Sequence, residues 1–166
     1  MVLNLYVIDT TMVVAALGAA VSAAGEIRRQ PIARWRLLMP GAFALIATIL
    51  MLAYPQTSDL LDVQFLMILL IAILVGGVRG AFIGMASDHY WRLVRLDNGL
   101  DSLLAALGVL AVGILQFVIE ASTGAENRAE TTFEFAMAVI AGYLIGRSLG
   151  AWFRARALHH HDLKEV

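Results

Sequence analysis

Apolar residues fall into five long stretches, separated by short polar connections. An α-helix needs roughly 20 apolar residues to cross a hydrocarbon core of about 30 Å, and the five stretches have about that length. The pattern therefore predicts an all-α polytopic membrane bundle that forms one transmembrane domain over residues 1–166. The predicted spans cover residues 5–24, 37–54, 63–84, 102–121 and 133–153.

Glycines at four-residue spacing stand at the end of spans 3 and 5, and each run contains one arginine. Helices in lipid associate through close backbone contact, which small residues four positions apart permit. We therefore predict that spans 3 and 5 make the closest helix contacts, with each other or with a neighbouring subunit. The predicted packing residues are Gly76, Gly80, Gly84, Gly142, Gly146 and Gly150, and the two arginines are Arg79 and Arg147.

Basic residues are distributed asymmetrically between the two sides of the predicted bundle. Of twelve Lys and Arg residues, only Arg128 falls in a connection on the side opposite the others. Short connections rich in Lys and Arg remain in the cytoplasm, so the N-terminus is predicted outside and the C-terminus in the cytoplasm. In span 1 the basic residues follow the apolar core, as in an uncleaved anchor, although the small residues at 19–24 leave cleavage as an alternative.

Composition agrees with a membrane protein: 60% of residues are hydrophobic, 15% are charged, and the mean hydropathy is +0.79. Cysteine is absent, which excludes disulfides and thiolate chemistry. Together these features favour a multi-pass protein of a bacterial inner membrane.

The two long connections on the basic side have distinct patterns. Residues 27–36 combine four arginines with Trp35, which predicts contact with lipid headgroups. In residues 88–101, Arg92 and Arg95 would share one face of a helix and leucines another, which predicts a short interfacial helix. The Asp-Asn-Gly sequence at 97–99 leaves a strand hairpin as the competing structure.

Ionisable residues at membrane depth are the first candidates for function. Four carboxylates form a candidate ionisable pathway near the predicted outer surface: Asp9, Asp62, Glu120 and Glu134. No charged residue lies near the centre of a span, which argues against a pump. A pore between subunits remains an alternative.

Arg79 and Arg147 are the second candidates. Both arginines either extend to the cytoplasmic interface or bind an anion there. That anion would be a headgroup phosphate, a cofactor phosphate, or the carboxylate of Asp88 or Asp97. Arg92 and Arg95 are further candidate contacts for an anion or a lipid headgroup.

Histidines lie in the connections and not within the spans, which excludes a haem held by two histidines inside the bundle. The triplet His159–His161 is interpreted as part of a flexible tail, with metal binding as the alternative. Neither an HExxH nor a GxSxG motif occurs. We therefore expect no enzymatic activity, no cofactor and no resident metal.

The stretch from Gly76 to about Leu107 contains a glycine-rich helix end with Arg79-Gly80, then Tyr90-Trp91-Arg92, an Asp-Asn-Gly turn and an apolar helix. This stretch, about a fifth of the chain, resembles the CcdC-like family of small bacterial membrane proteins. The family is associated with cytochrome c maturation. The resemblance implies an accessory membrane role and supplies no catalytic residue.

We expect an accessory or structural membrane subunit that packs through its glycine faces against itself or a larger complex. A respiratory, photosynthetic or cytochrome-assembly complex would suit such a chain. The alternative is a small oligomeric transporter or channel with its solute path between subunits. Expected partners are membrane lipids and either further copies or other subunits, and no nucleic acid.

Overall fold

The computed structural model describes residues 2–28, 31–52, 63–88, 92–97, 99–123 and 130–158. These residues are mostly helical. The five α-helices are α1 (Val2–Ile27), α2 (Met39–Leu52), α3 (Val63–Ala81), α4 (Leu100–Thr123) and α5 (Glu130–Ala157), and a 3-10 helix, Arg34–Leu38, leads into α2. When the 3-10 helix is counted with α2, all five are long and apolar enough to cross a membrane, which confirms the prediction of five helices of that length and composition in the described residues.

Small residues fill the interior of the bundle, and large apolar residues cover its outside. On α1, Ala16, Ala19 and Ala23 are fully buried, whereas Val14 and Val21 are 59% and 73% exposed. In lipid there is no hydrophobic gain from burying Val or Leu, so small inner residues that let backbones approach determine the packing. The bundle is thus built as a membrane protein is expected to be.

The glycines of α3 and α5 bring these two helices together within the chain. A Cβ on Gly76 or Gly80 would overlap the α5 backbone near Tyr143 and Arg147. Conversely, a Cβ on Gly146 or Gly150 would overlap the α3 backbone at Ile73 and Gly77, and one on Gly142 would crowd Ala72 and Leu69. The predicted contact between spans 3 and 5 is therefore made inside one molecule.

Gly84 differs from the other five predicted packing glycines. α3 ends at Ala81, short of the predicted boundary, so Gly84 lies beyond the helix and its α-carbon faces the side chain of Asp97. Gly84 also accepts a backbone hydrogen bond from Asp97 at 3.0 Å. Glycine at position 84 lets the backbone after α3 lie close to the side chain of Asp97. The prediction that Gly84 packs one helix on another was wrong.

A small antiparallel sheet lies at the end of the bundle where α1, α3 and α5 end. Its strands are β1 (Ile32–Ala33), β2 (Met85–Asp88) and β3 (Leu93–Leu96), in the order β1-β3-β2. The predicted interfacial helix was wrong, because Val94 and Leu96 are buried while their neighbours in β3 are half-buried, which is the alternation of a strand. The competing strand structure is the one formed: β2 and β3 pair from Met85 opposite Leu96 to Asp88 opposite Leu93, and Asp97 comes after the pair and not between its strands.

The sheet packs on the last turns of α5 through a small hydrophobic cluster. Val94, Leu96, Ile83, Leu37 and Ala155 form this cluster, and the Ser87 hydroxyl donates to the Ala155 carbonyl at 3.2 Å. The fold is therefore a helical bundle with a sheet covering one end, where a purely α-helical fold was predicted.

Candidate functional site

Arg147 is the largest side chain that is completely buried in the described residues. Its Nη1 donates to Oε2 of Glu26 at 2.9 Å, and its Nη2 donates to Oδ1 of Asp101 at 3.0 Å. The side chain of Glu26 is 1% exposed and that of Asp101 is 20% exposed. One guanidinium thus joins α5 to the end of α1 and to the start of α4.

Arg79 of α3 binds one of these two carboxylates, that of Asp101. Its Nε donates to Oδ2 of Asp101 at 3.2 Å, and its side chain remains 48% exposed. The Tyr143 hydroxyl donates to the same oxygen at 3.4 Å. We call Glu26, Arg79, Asp101 and Arg147 the charge cluster. It contains two positive and two negative charges, and it connects four of the five helices.

Local sequence explains why the charges meet at this level. Asp101 is in the first turn of α4 and Arg79 in the last turn of α3, where each charge is favoured by the helix dipole. Glu26 is in the last turn of α1, where the helix dipole disfavours a carboxylate. The negative charge of Glu26 is therefore stabilised by Arg147 and not by its own helix. Gly76 lets the α3 backbone lie directly against Arg147.

The charge cluster differs from the predicted anion site in its partners. The sequence predicted an external anion or the carboxylates of Asp88 and Asp97. Instead, Arg147 binds the carboxylates of Glu26 in α1 and Asp101 in α4, and Arg79 binds that of Asp101. Asp88 is buried at the end of β2, and Asp97 lies against Gly84.

Sequence reasoning missed Glu26 because predicted span 1 ended at Ala24, which placed Glu26 in the connection. Asp101 was not among the predicted site residues either. A signal was available: Glu26 is the one carboxylate between Asp9 and the first basic residues, and it stands between an alanine- and glycine-rich stretch and Ile27, so it continues the apolar helix.

Of the four carboxylates in the predicted ionisable pathway, only Glu134 has a described side chain, so the pathway stays a prediction. The side chains of Asp9 and Glu120, and the whole of Asp62, lie outside what the structure describes. Glu134 is 6% exposed in the first turns of α5. It precedes Arg147 by 13 positions, roughly 20 Å along a helix, so it belongs to the opposite end of the bundle.

Of the other predicted anion contacts, Arg92 and Arg95, only Arg92 lines a cavity. Arg92 precedes β3 with a φ of 53°, an uncommon left-handed conformation, and lines a cavity with other basic residues. Arg95 pairs with Ala86 of β2 and does not line that cavity. His89 and His159–His161 lie outside the described residues. In the described part of the chain, no group of three or more His, Cys, Asp or Glu side chains could hold a metal ion.

Comparison with protein families, curated proteins and solved structures finds no match to this chain. The resemblance to the CcdC-like family therefore remains a prediction that rests on residues 76–107 alone.

Proposed function

We propose that this chain is an accessory or structural subunit of a larger membrane assembly, without catalytic activity of its own. The supporting observation is the charge cluster, in which two arginines and two carboxylates neutralise one another and join four helices. Removing one partner of a buried ion pair is costly, so such a cluster favours a single arrangement of the helices. A rigid bundle with its charges paired internally suits a subunit that holds other proteins in place.

The surface that remains for a partner follows from the internal packing. The glycine faces of α3 and α5 are covered by each other and do not contact a second protein. A respiratory, photosynthetic or cytochrome-assembly complex would therefore meet the outer faces of the bundle. These faces are covered by large apolar side chains, including Leu66, Leu70 and Leu74 of α3.

Orientation is part of the proposal: the sheet and the charge cluster face the cytoplasm of a bacterium, and the N-terminus faces outward. The support is the concentration of basic residues at this end, from Arg34 and Arg36 before α2 to Arg154 and Arg156 in the last turn of α5. Reporter enzymes fused after residue 166 and inserted near residue 57 test it. Cytoplasmic activity for the first and external activity for the second are expected; the reverse pattern contradicts the orientation.

Purification of the full chain from native membranes in a mild detergent tests the accessory role. We expect other membrane proteins to be recovered in fixed stoichiometry with the tagged chain. The control is an unrelated five-span protein with the same tag, purified from the same membranes. Recovery of a homo-oligomer with no other protein would overturn the proposal.

A small oligomeric proton-linked transporter is the second candidate, and one observation favours it. Glu26 and Asp101 both bind the guanidinium of Arg147. Protonation of either carboxylate would therefore leave Arg147 paired with the other carboxylate alone. Proton flux into vesicles that contain the purified chain distinguishes the candidates. The accessory role predicts no flux above protein-free vesicles. Flux that the Glu26→Gln variant abolishes would establish the transporter instead.

A further inference from the structure

A second group of arginines surrounds a cavity of about 630 Å³ beside the sheet. We call it the arginine pocket; its lining residues are Ala33, Arg34, Trp35, Arg92, Trp152 and Arg156. Three separate parts of the chain form it: the segment before α2, the residue that leads into β3, and the last turns of α5. It lies at the end of the bundle, where an arginine and tryptophan belt is expected to meet lipid headgroups.

The positive charge of the arginine pocket is not neutralised within the described residues. No acidic side chain among the described residues lines it, and none of its three guanidinium groups forms an ion pair with any of them. This contrasts with the charge cluster, where every arginine is bound to a carboxylate. The pocket therefore has the electrostatics of an anion site.

Two of the three arginines are held in position by the protein. Arg34 donates from Nη2 to the Ser87 hydroxyl at 3.0 Å and to the Asp88 carbonyl at 3.4 Å, while its buried Nε meets no acceptor in the described residues. Arg156 lies over the ring of Trp152, 3.6 Å from the ring centre. Guanidinium groups fixed in this way bind a phosphate through paired hydrogen bonds at little cost in side-chain entropy.

An apolar groove adjoins the arginine pocket, and Trp35 lines both. The groove, of about 390 Å³, lies between α1 and α2, and its lining includes Val21, Gly25 and Phe43. Gly25 leaves it open, because a Cβ built there would meet nothing within 4 Å. A cationic pocket and an apolar groove that share one wall match the two chemical parts of a phospholipid.

We propose that the arginine pocket and the groove together bind one anionic phospholipid. Its phosphate lies among Arg34, Arg92 and Arg156, and one acyl chain lies along Val21 and Gly25. The tryptophans occupy the level between headgroup and chain, where indole rings are favoured. This site is independent of the proposed accessory role, because it uses neither the charge cluster nor a protein partner.

Native mass spectrometry of the full chain tests the proposed binding of the headgroup by the arginine pocket. It measures how much phosphatidylglycerol the chain retains after titration with this lipid. The variant Arg92→Gln/Arg156→Gln should bind at least about tenfold more weakly, as expected for the loss of charge-assisted hydrogen bonds. Arg34 is left intact because it supports the sheet. The matched control Arg154→Gln removes a charge from the last turn of α5 outside the pocket and should bind as the wild type does. Equal retention by the double variant and the wild type would overturn the proposal.

The Gly25→Leu variant tests the proposed binding of an acyl chain in the groove. A leucine should fill the groove without disturbing the bundle, since its Cβ has open space. We expect the Gly25→Leu variant to retain less phosphatidylglycerol than the wild type, while its melting temperature is unchanged or higher. We expect that neither protein retains phosphatidylcholine in preference to phosphatidylglycerol. If Gly25→Leu retains the lipid fully while glycerol 3-phosphate displaces it, the pocket binds a soluble phosphate and the phospholipid proposal fails.

Discussion

The glycine–arginine runs of α3 and α5 are similar in sequence but lie in different surroundings. In the apolar segment of α3, 22% of the residues are buried, whereas 50% of the residues are buried in the apolar segment of α5. α3 packs chiefly on α5, whereas α5 also contacts α2, α4, the 3-10 helix and the sheet. Accordingly, Arg79 is about half exposed with one carboxylate partner, and Arg147 is fully buried with two.

This difference shows what a glycine run specifies and what it leaves open. Small residues set how closely two helices approach, and they do so on both α3 and α5. They do not determine whether a neighbouring arginine faces lipid headgroups or the interior, because that depends on how many other helices surround it. The energetic consequences of substituting equivalent residues in the two runs should therefore differ.

The largest effect is expected for Arg147→Gln. Without the guanidinium, Glu26 becomes a buried carboxylate with no cation beside it, a loss worth about 3–5 kcal/mol in buried pairs. Thermal unfolding of the purified chain in detergent measures it. A melting temperature equal to that of the wild type would show that Arg147 is not held as described.

An intermediate effect is expected for Gly76→Ala, with the adjacent Gly77→Ala as its control. A methyl group on Gly76 overlaps the Tyr143 carbonyl of α5, which should cost about 1–3 kcal/mol by forcing the helices apart. A Cβ at Gly77 would be 3.7 Å from the Gly146 carbonyl oxygen, an ordinary contact. Gly77→Ala should therefore be neutral, or stabilising by up to about 1 kcal/mol through helix propensity. Equal effects of the two substitutions on the unfolding transition would contradict the packing of α3 on α5.

The smallest effect is expected for Arg79→Gln. Its side chain is 48% exposed, and ion pairs of that kind contribute about 1 kcal/mol or less. Asp101 would still be bound by Arg147 and Tyr143. The same unfolding measurement should show a shift well below that of Arg147→Gln, and shifts of equal size would remove the distinction between the two runs.

The sequence predicted the five helices and the proximity of α3 to α5, because both depend on local patterns that repeat over many residues. It kept a strand hairpin only as the alternative for residues 88–101 and did not predict β1, since strands of two to four residues give too little alternation to outweigh a helical interpretation.

The partners of Arg147 were beyond sequence reasoning for a different reason. Glu26 and Arg147 are 121 positions apart, and only the packing of α1 and α4 around α5 brings the carboxylates to one guanidinium. Of the two alternatives for Arg147, extension to the interface is wrong, because the side chain is completely buried, and anion binding is the one that the ion pairs support. Which anion it binds depends on tertiary structure.

The most direct test of the central claim, that the charge cluster is an internal structural connection, is a double-mutant cycle with Glu26→Gln and Arg147→Gln. Thermal unfolding of the wild type, both single variants and the double variant gives the coupling between the two side chains. If the pair is structural, the double variant regains much of the stability that either single variant loses, because no unpaired buried charge remains, and it recovers the same partner proteins from native membranes. A double variant with the summed losses of the single variants, or one that is stable but recovers no partner, would contradict the account.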